Sequence, residues 1–162
     1  AVPGDFVHRG RPLLLVEPGG ETELAACGDL FSIGRKRSDL QDLRFALDEL
    51  VELAARALSP GVNDPFTACA CVDWLGAALL ELANAPRRAE RLEERVWIPR
   101  RGFPDHLDAA AGRLRPYAAR DRMTAAHLAA TLERIGSEVG DPTHRLLIAR
   151  ERAALIAEAA QG

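Results

Sequence analysis

A turn at residues 57–68, with the sequence ALSPGVNDPFTA, constrains the fold of this chain more than any other segment. Pro60 cannot continue a helix, and Gly61 can adopt a positive φ angle. Asn63 or Asp64 can cap a new helix, and the proline that follows suits the first turn of that helix. The segment therefore predicts a sharp corner between two helices.

Helical periodicity flanks the corner on both sides. Before it, a cap at Ser38 or Asp39 is followed by apolar residues at every third or fourth position, namely Leu40, Leu43, Leu47, Leu50, Ala54 and Ala57. After it, the segment from about Asp64 to Ala83 carries only Asp73 and Glu81 as further charged residues. A helix that is apolar on nearly all sides is usually buried, so we expect this one to be the central helix of the domain.

The C-terminal half of the chain predicts three further helices. The first runs from Pro104 to Tyr117, where Pro116 should kink or end it. Asp121 caps the second helix, and the Asp-Pro pair at 141–142 starts the third.

Residues 1–34 are predicted to form strands and turns. Short apolar runs alternate there with glycine and proline, and the runs are Phe6-Val7, Leu13 to Val16, Leu24 to Cys27 and Leu30 to Ile33. Val96 to Ile98 is a candidate for one more strand. A sheet this small must pack on other elements. The sequence thus predicts a mainly α (α+β) fold: an antiparallel helical bundle of about five helices with a small N-terminal β-element. In this interpretation the β-element (1–34) packs on the α-helical part (35–162), and together they form one domain.

Composition excludes several classes of partner and site. The net charge is −3 with both signs interspersed, so nucleic-acid binding has no compositional support. Cys69 and Cys71 point to different faces of a helix, and the only other cysteine is Cys27, so we expect neither a disulfide nor a metal or cofactor site. The arginines between 87 and 101 alternate with glutamates, which predicts a self-paired, solvated surface rather than a lipid-binding one.

The chain carries no recognisable membrane or export signal. No segment approaches the ~20 apolar residues that cross a bilayer, and no signal peptide is present. The sequence opens at Ala1, without methionine, inside a strand–turn pattern. We therefore expect the chain to be a fragment of a longer protein. The absence of a membrane-spanning segment from the fragment does not show that the parent protein lacks one.

Polar side chains at the corner form the main candidate ligand-binding site: Ser59, Asn63, Asp64 and Thr67, with Asp73 further along the second helix. One interpretation is structural, because such side chains satisfy backbone groups at helix ends. The other is a polar pocket at a helix N-terminus. The structural interpretation is favoured at the corner.

Asp73 stands alone in an otherwise apolar segment. A buried carboxylate must be paired, or its pKa must rise. The structural expectation is an ion pair with an arginine of the preceding helix, such as Arg44 or Arg56. The functional alternative is a general base or a ligand anchor.

Motifs of common enzymes and metal sites are absent from the sequence. The four histidines are scattered and show no metal-ligand spacing. Ser59 lies in no nucleophile elbow, and the glycines form no phosphate-binding loop.

The turn at 57–68 resembles the hallmark of a bacterial family of predicted membrane proteins, the domain of unknown function twenty-two fifty-four. Residues 4–7 resemble that family's entry to its soluble part, residues 39–58 the helix before the hallmark, and residues 71–75 its continuation. The resemblance is dense over 4–80 and loose beyond. Lys36 and Ser38 replace an acidic residue and a threonine that similar members carry, so their loop is assigned no site role.

This resemblance implies a parent protein in the bacterial cell membrane, anchored through segments outside this chain. The chain would be the soluble C-terminal part of that parent, and its free thiols lead us to expect that it lies on the cytoplasmic side. The resemblance implies no substrate, cofactor or catalytic residue.

Three functional hypotheses remain open from the sequence. The first is a non-enzymatic assembly or sensing domain, with an exposed apolar patch and a homo-oligomer as its expected features. The second is a regulatory domain that binds a small ligand of unknown identity at the corner pocket. The third, ranked last, is a hydrolase that uses Asp73 or Asp64 as general base.

Overall fold

The computed structural model describes residues 1–15, 27, 31–38, 42–85 and 101–161. Within them the chain is mainly helical, with α1 Leu43–Ala57, α2 Pro65–Asn84, α3 Phe103–Leu107, α4 Arg113–Ala118, α5 Arg122–Glu138 and α6 Pro142–Ala159. A π-helical turn, Asp108–Gly112, joins α3 to α4 without a break. Residues 103–118 therefore form one continuous helical segment, called the central run below.

Aspartate side chains begin three of the helices. Asp64, Asp121 and Asp141 each accept a hydrogen bond from a backbone N–H in the first turn of α2, α5 and α6, respectively. Such caps satisfy N–H groups that have no partner within the helix. The helix starts predicted at these three positions are confirmed.

Two other predicted helix boundaries differ in detail. α1 begins at Leu43 and not just after Ser38, and Asp42 in the cap position makes no capping bond because arginines hold its carboxylate. Pro116 lies inside α4, and the helix ends two residues later, at Ala118, close to the predicted end.

No strand occurs among the described residues of the N-terminal segment. Phe6-Val7, Leu13 to Leu15 and Phe31 to Ile33 have irregular or turn backbone. Of the predicted strand Leu24 to Cys27 only Cys27 is described, with helical backbone, and the predicted strand at 96–98 lies outside the described residues. The predicted β-element is thus not seen in the described part of the chain.

Helices joined by short connections run antiparallel. Between α1 and α2 the Asp64 N–H donates to the Ala57 oxygen at 2.8 Å, closing the corner. Between α5 and α6 a glycine, Gly136, lies against Ile148, while the Arg152 Nε donates to the Ala129 oxygen at 3.3 Å. The predicted sharp corner between two packed helices is confirmed.

α2 and α5, which are far apart in sequence, run parallel. His127 on α5 bonds to Asp73 on α2, and one turn further Thr131 lies against Gly76. A Cβ atom at Gly76 would lie 2.5 Å from the Thr131 Cγ2, so glycine permits this close approach of the two helices.

The central run is also parallel to a distant helix, α1. Arg101, just before the run, pairs with Asp42 at the start of α1, and Arg113 pairs with Asp48 further along both elements. Each of these two pairs is separated by one intervening helical element along the chain, so a parallel direction is what an alternating up-and-down order of helices gives, and it does not contradict the predicted antiparallel order.

The middle of the fold is the central run, which contacts α1, α2, α5 and α6. Its side chains Ala109, Ala110, Leu114 and Ala118 are fully buried. The prediction that α2 is the central helix is wrong: α2 packs on α1, α5 and the central run, and its opposite side faces outwards. When all sides of a helix are apolar, the sequence does not indicate which side packs against the rest of the domain.

Candidate functional site

The corner at 57–68 uses most of its polar side chains on helix ends. The Ser59 hydroxyl donates to the Arg56 oxygen at 2.7 Å, at the end of α1. Asp64 accepts the Thr67 N–H at 3.1 Å through Oδ1 and the Thr67 hydroxyl at 2.5 Å through Oδ2. The Thr67 hydroxyl, followed by its backbone N–H, lowers the pKa of Asp64 below its ordinary value. Asp64 is therefore an ionised cap.

Asn63 supplies the sharp change of direction at the corner. Its φ angle of 49° lies in the left-handed region, and it is the only non-glycine with a positive φ among the described residues. Asparagine tolerates this conformation better than most residues. The sequence allowed Gly61 this role, but Gly61 does not have a positive φ angle.

The five predicted site residues are not brought together as one group. Asp64 and Thr67 bond to each other, Ser59 bonds back to α1, and the Asn63 residue is exposed. Asp73 lies nine residues beyond Asp64, or about 13 Å along the helix at ~1.5 Å per residue. A ligand-binding role for these five residues stays a prediction.

Asp73 differs from its predicted environment. Its side chain is 58% exposed, and its Oδ1 lies 2.8 Å from the His127 Nε2. The predicted partners are engaged elsewhere, Arg44 with Asp48 and Arg56 with Glu52. The predicted arginine pair is therefore wrong, because Asp73 lies on the side of α2 that meets α5 at the surface.

The exposed Asp73–His127 pair supplies a proton acceptor but has no matched nucleophile among the candidate residues. The hydroxyls of Ser59 and Thr67 are held by the end of α1 and by Asp64. Burial raises the pKa of the Cys69 and Cys71 thiols, which disfavours the reactive thiolate. In the described part of the chain, no group of three or more His, Cys, Asp or Glu side chains is placed to hold a metal ion.

A buried carboxylate that sequence reasoning did not single out is Asp42. Its side chain is 4% exposed. Arg37 donates to Oδ2 from two nitrogens, at 2.9 and 2.6 Å, and Arg101 donates to Oδ1 at 3.4 Å. Two guanidinium groups compensate the charge that burial would otherwise make costly.

The same ion pairs attach the N-terminal segment to the helices. Arg101 also bonds to Asp5 and to the Pro3 oxygen. Gly4, with a φ of 84°, lies so close to Asp42 that a Cβ atom would meet its Oδ2 at 1.9 Å. Sequence analysis noted the Gly-Asp pair at 4–5 only as part of a resemblance and not as a signal for this contact. Since each acid has a basic partner, the cluster is a structural clamp.

An open cleft of about 660 Å³ lies between α1 and the end of the central run. None of the five predicted site residues lines it; its walls are Asp48, Val51, Glu52, Ala55, Arg113, Pro116, Tyr117 and Arg120. Asp48 at its edge is already paired with Arg37 and Arg113. The acids Asp48 and Glu52 on its walls are thus compensated by arginines, and the exposed Arg120 is its remaining charged residue.

The outward side of α2 is apolar and uncovered. Phe66 is 76% and Trp74 69% exposed, and the exposed alanines Ala70 and Ala77 continue the same stripe. These four residues, at spacings of four, four and three, are called the open face of α2 below. Their spacing places them on one side of a helix.

α2 is also long and apolar enough to cross a membrane, with a mean hydropathy of 1.5 over an 18-residue window, 39% of which is buried. The prediction that no segment approaches such a length is wrong, because α2 tolerates Asp73 and Glu81 within an otherwise apolar sequence. Core helices of soluble proteins pass the same test, and α2 contributes Val72, Leu75 and Leu79 to the core.

Comparison with known proteins gives the family but no activity. The sequence model of the family described as "Predicted membrane protein (DUF2254)" matches residues 1–134. Uncharacterised proteins of Mycobacterium bovis and Mycobacterium tuberculosis are 34% identical over 134 residues, which cover 80% of this chain and 26% of theirs. The chain thus spans about a quarter of the length of these relatives. No solved structure matches it.

Proposed function

Because the chain belongs to the DUF2254 family of predicted membrane proteins, we propose that it is a non-enzymatic assembly or sensing domain of a bacterial membrane protein. In this proposal the membrane is reached through segments outside this chain, and the domain lies on the cytoplasmic side. Its task is to bind another protein surface rather than to transform a substrate.

The open face of α2 carries this proposal. A soluble domain rarely leaves two large aromatic side chains exposed on one helix without a partner for them. The domain's own core uses the other side of α2. An uncovered apolar stripe on a regular, capped helix suits contact with another protein.

The chemistry of the polar groups also supports a non-enzymatic role. Asp64, Thr67 and Ser59 make the bonds of helix ends, and Asp42 is neutralised by arginines. Such groups are already satisfied, whereas catalytic or ligand-binding groups need free bonding capacity directed into a pocket.

Membrane vesicles test the location. The native protein should remain with the membrane after an alkaline wash, and an epitope tag after Gln161 should be cleaved by protease only in inside-out vesicles. Recovery in the soluble fraction, or cleavage only in right-side-out vesicles, would contradict the proposal.

A thermal-shift screen of the chain against metabolites, nucleotides and metals tests the two alternatives. We expect no stabilising compound whose effect disappears in Asn63→Ala or Asp73→Asn. A compound that behaves in that way would favour a ligand-binding domain with its site at the corner. If the chain also hydrolyses that compound, and Asp73→Asn or Asp64→Asn abolishes the hydrolysis, the result would favour the hydrolase.

A further inference from the structure

The cleft between α1 and the end of the central run has the size of a small-molecule site. Its volume of about 660 Å³ lies within the roughly 300–1,000 Å³ of typical ligand pockets. On each wall the lining residues follow the first one at offsets of three, four and seven residues, which is the spacing of one side of a helix. Two such sides that face each other form a groove along both elements.

The two ends of this groove differ. At one end the Arg113 Nη1 lies 3.2 Å from the Asp48 Oδ1 and bridges the two walls. Seven residues further along each wall, the lining ends in Ala55 and Arg120. The alanine side chain is too short to bridge the gap and carries no charge, so the cleft is open at this end.

Two hydrogen-bond donors on the wall of the cleft are unused. The Tyr117 side chain is 47% exposed, and Arg120 is exposed as well. Neither the Tyr117 hydroxyl nor the Arg120 guanidinium bonds to any of the residues that the structure describes. The Arg120 N–H donates to the Tyr117 oxygen at 3.2 Å, and this turn holds the two residues next to each other. The cleft thus has the free bonding capacity that the corner at 57–68 lacks.

The charges on the walls indicate which ligand fits. A guanidinium group only donates, and its planar fork matches a carboxylate through two parallel hydrogen bonds. One unpaired positive charge is balanced by one negative charge. A second negative charge, as on a phosphate ester, would be repelled by Asp48 and Glu52 on the opposite wall. The remaining lining of Val51, Ala55 and Pro116 is apolar and suits an uncharged hydrocarbon body.

From this arrangement we propose that the cleft binds a small monocarboxylate with an apolar body. The carboxylate accepts hydrogen bonds from the Arg120 guanidinium and the Tyr117 hydroxyl, and the body packs against the apolar side chains of both walls. This inference rests on the sensing role proposed above and names the class of ligand that is sensed. Because the ligand contacts both walls, its binding stabilises the packing of α1 on the central run.

Titrations followed by backbone-amide NMR test the site with two acids, octanoate and phenylbutyrate, each beside its neutral amide. Both acids should bind in the low-millimolar range, the affinity that a ligand of about a dozen non-hydrogen atoms reaches. Each amide should bind about tenfold more weakly, because it loses the charge-assisted hydrogen bonds to the guanidinium. The resonances that shift should belong to the two walls of the cleft.

Three variants locate the carboxylate. Arg120→Gln should weaken binding of both acids about tenfold and remove their advantage over the amides, whereas Tyr117→Phe should weaken it about threefold, the effect of one neutral donor. Arg134→Gln is the matched control, because Arg134 is an exposed arginine of α5 that does not line the cleft, and it should leave the affinities unchanged. Circular dichroism melts check that all three variants fold.

Three results would overturn the monocarboxylate site: no binding of either acid at about 10 mM, equal affinities of acids and amides, or shifts confined to the open face of α2 around Phe66 and Trp74. An affinity that Arg120→Gln leaves unchanged would overturn it as well. Failure of the proposed function appears elsewhere, in the vesicle experiment described above or as turnover of an acid by the chain. Such turnover would contradict the non-enzymatic role and still support the cleft as the binding site.

Discussion

The two sides of α2 are almost equally apolar, yet only one is explained by the fold of this chain. The inner side packs in the core through Ala68, Val72, Leu75 and Leu79. The open face, with Phe66 and Trp74, contributes nothing to that core. The comparison teaches that the inner side determines the stability of the domain, whereas we expect the open face to determine its association.

The largest effect should come from the inner side. Leu79→Ala removes a side chain that is 2% exposed and leaves a cavity between packed helices, so the free energy of unfolding should fall by about 2–5 kcal/mol. Urea denaturation followed by circular dichroism measures it. A loss similar to that in the exposed control Leu146→Ala would show that this side is not the core.

A smaller loss is expected where α2 meets α5. In Gly76→Ala the new methyl group would collide with the Thr131 Cγ2 atom. Because this overpacking outweighs the gain in helix propensity, the free energy of unfolding should fall by about 1–2 kcal/mol. Thr131→Ser removes that Cγ2 atom and should restore part of the stability in the double variant. Equal stability losses for Gly76→Ala in both backgrounds would contradict this close contact.

The start of α2 should make stability depend on acid pH. The pKa of Asp64 is lowered in the folded state, so its carboxylate contributes stability that is fully present above its unfolded pKa of about 3.9. That contribution is lost as the pH falls through the lowered folded pKa. Asp64→Asn keeps a capping side chain but removes the titration, so it should destabilise the chain at neutral pH, and this loss should disappear once the pH is below the lowered folded pKa of Asp64. Denaturation midpoints across this range measure the difference; parallel curves for the two proteins would contradict it.

The smallest effect on folding is expected on the open face. At a concentration where the chain is monomeric, Trp74→Gln should change the free energy of unfolding by less than ~0.5 kcal/mol. The substitution removes exposed surface and no core contact. A loss as large as that of Leu79→Ala would place Trp74 in the core and remove the distinction between the two sides.

Local chemistry made much of the helical fold predictable. Asp64, Asp121 and Asp141 act on N–H groups only two or three residues away, so their role is visible in a short stretch of sequence. The corner at 57–68 is determined in the same way. Two of its polar side chains, Ser59 and Asp64, were also predicted correctly to serve helix ends.

Tertiary relations were not predictable in this way. The position of Asp73 depends on which side of α2 the rest of the chain covers, and an all-apolar helix contains no signal for that choice. The Asp42 clamp depends on Arg37 and Arg101, and the latter is 59 residues away. The close approach of Gly4 to Asp42 could not be read from the sequence either, because Gly4 also has a local role in the turn closed by the Asp5 N–H on the Val2 oxygen.

The parallel pairing of α1 with the central run sets an order of events during folding. The corner at 57–68 can close within nanoseconds to microseconds, because its partners are neighbours along the chain. Contacts such as Asp42 with Arg101 require a much longer loop to close, and such closure slows with the separation it spans. Helical hairpins should therefore form early, and attachment of the N-terminal segment should be the last step to complete the domain.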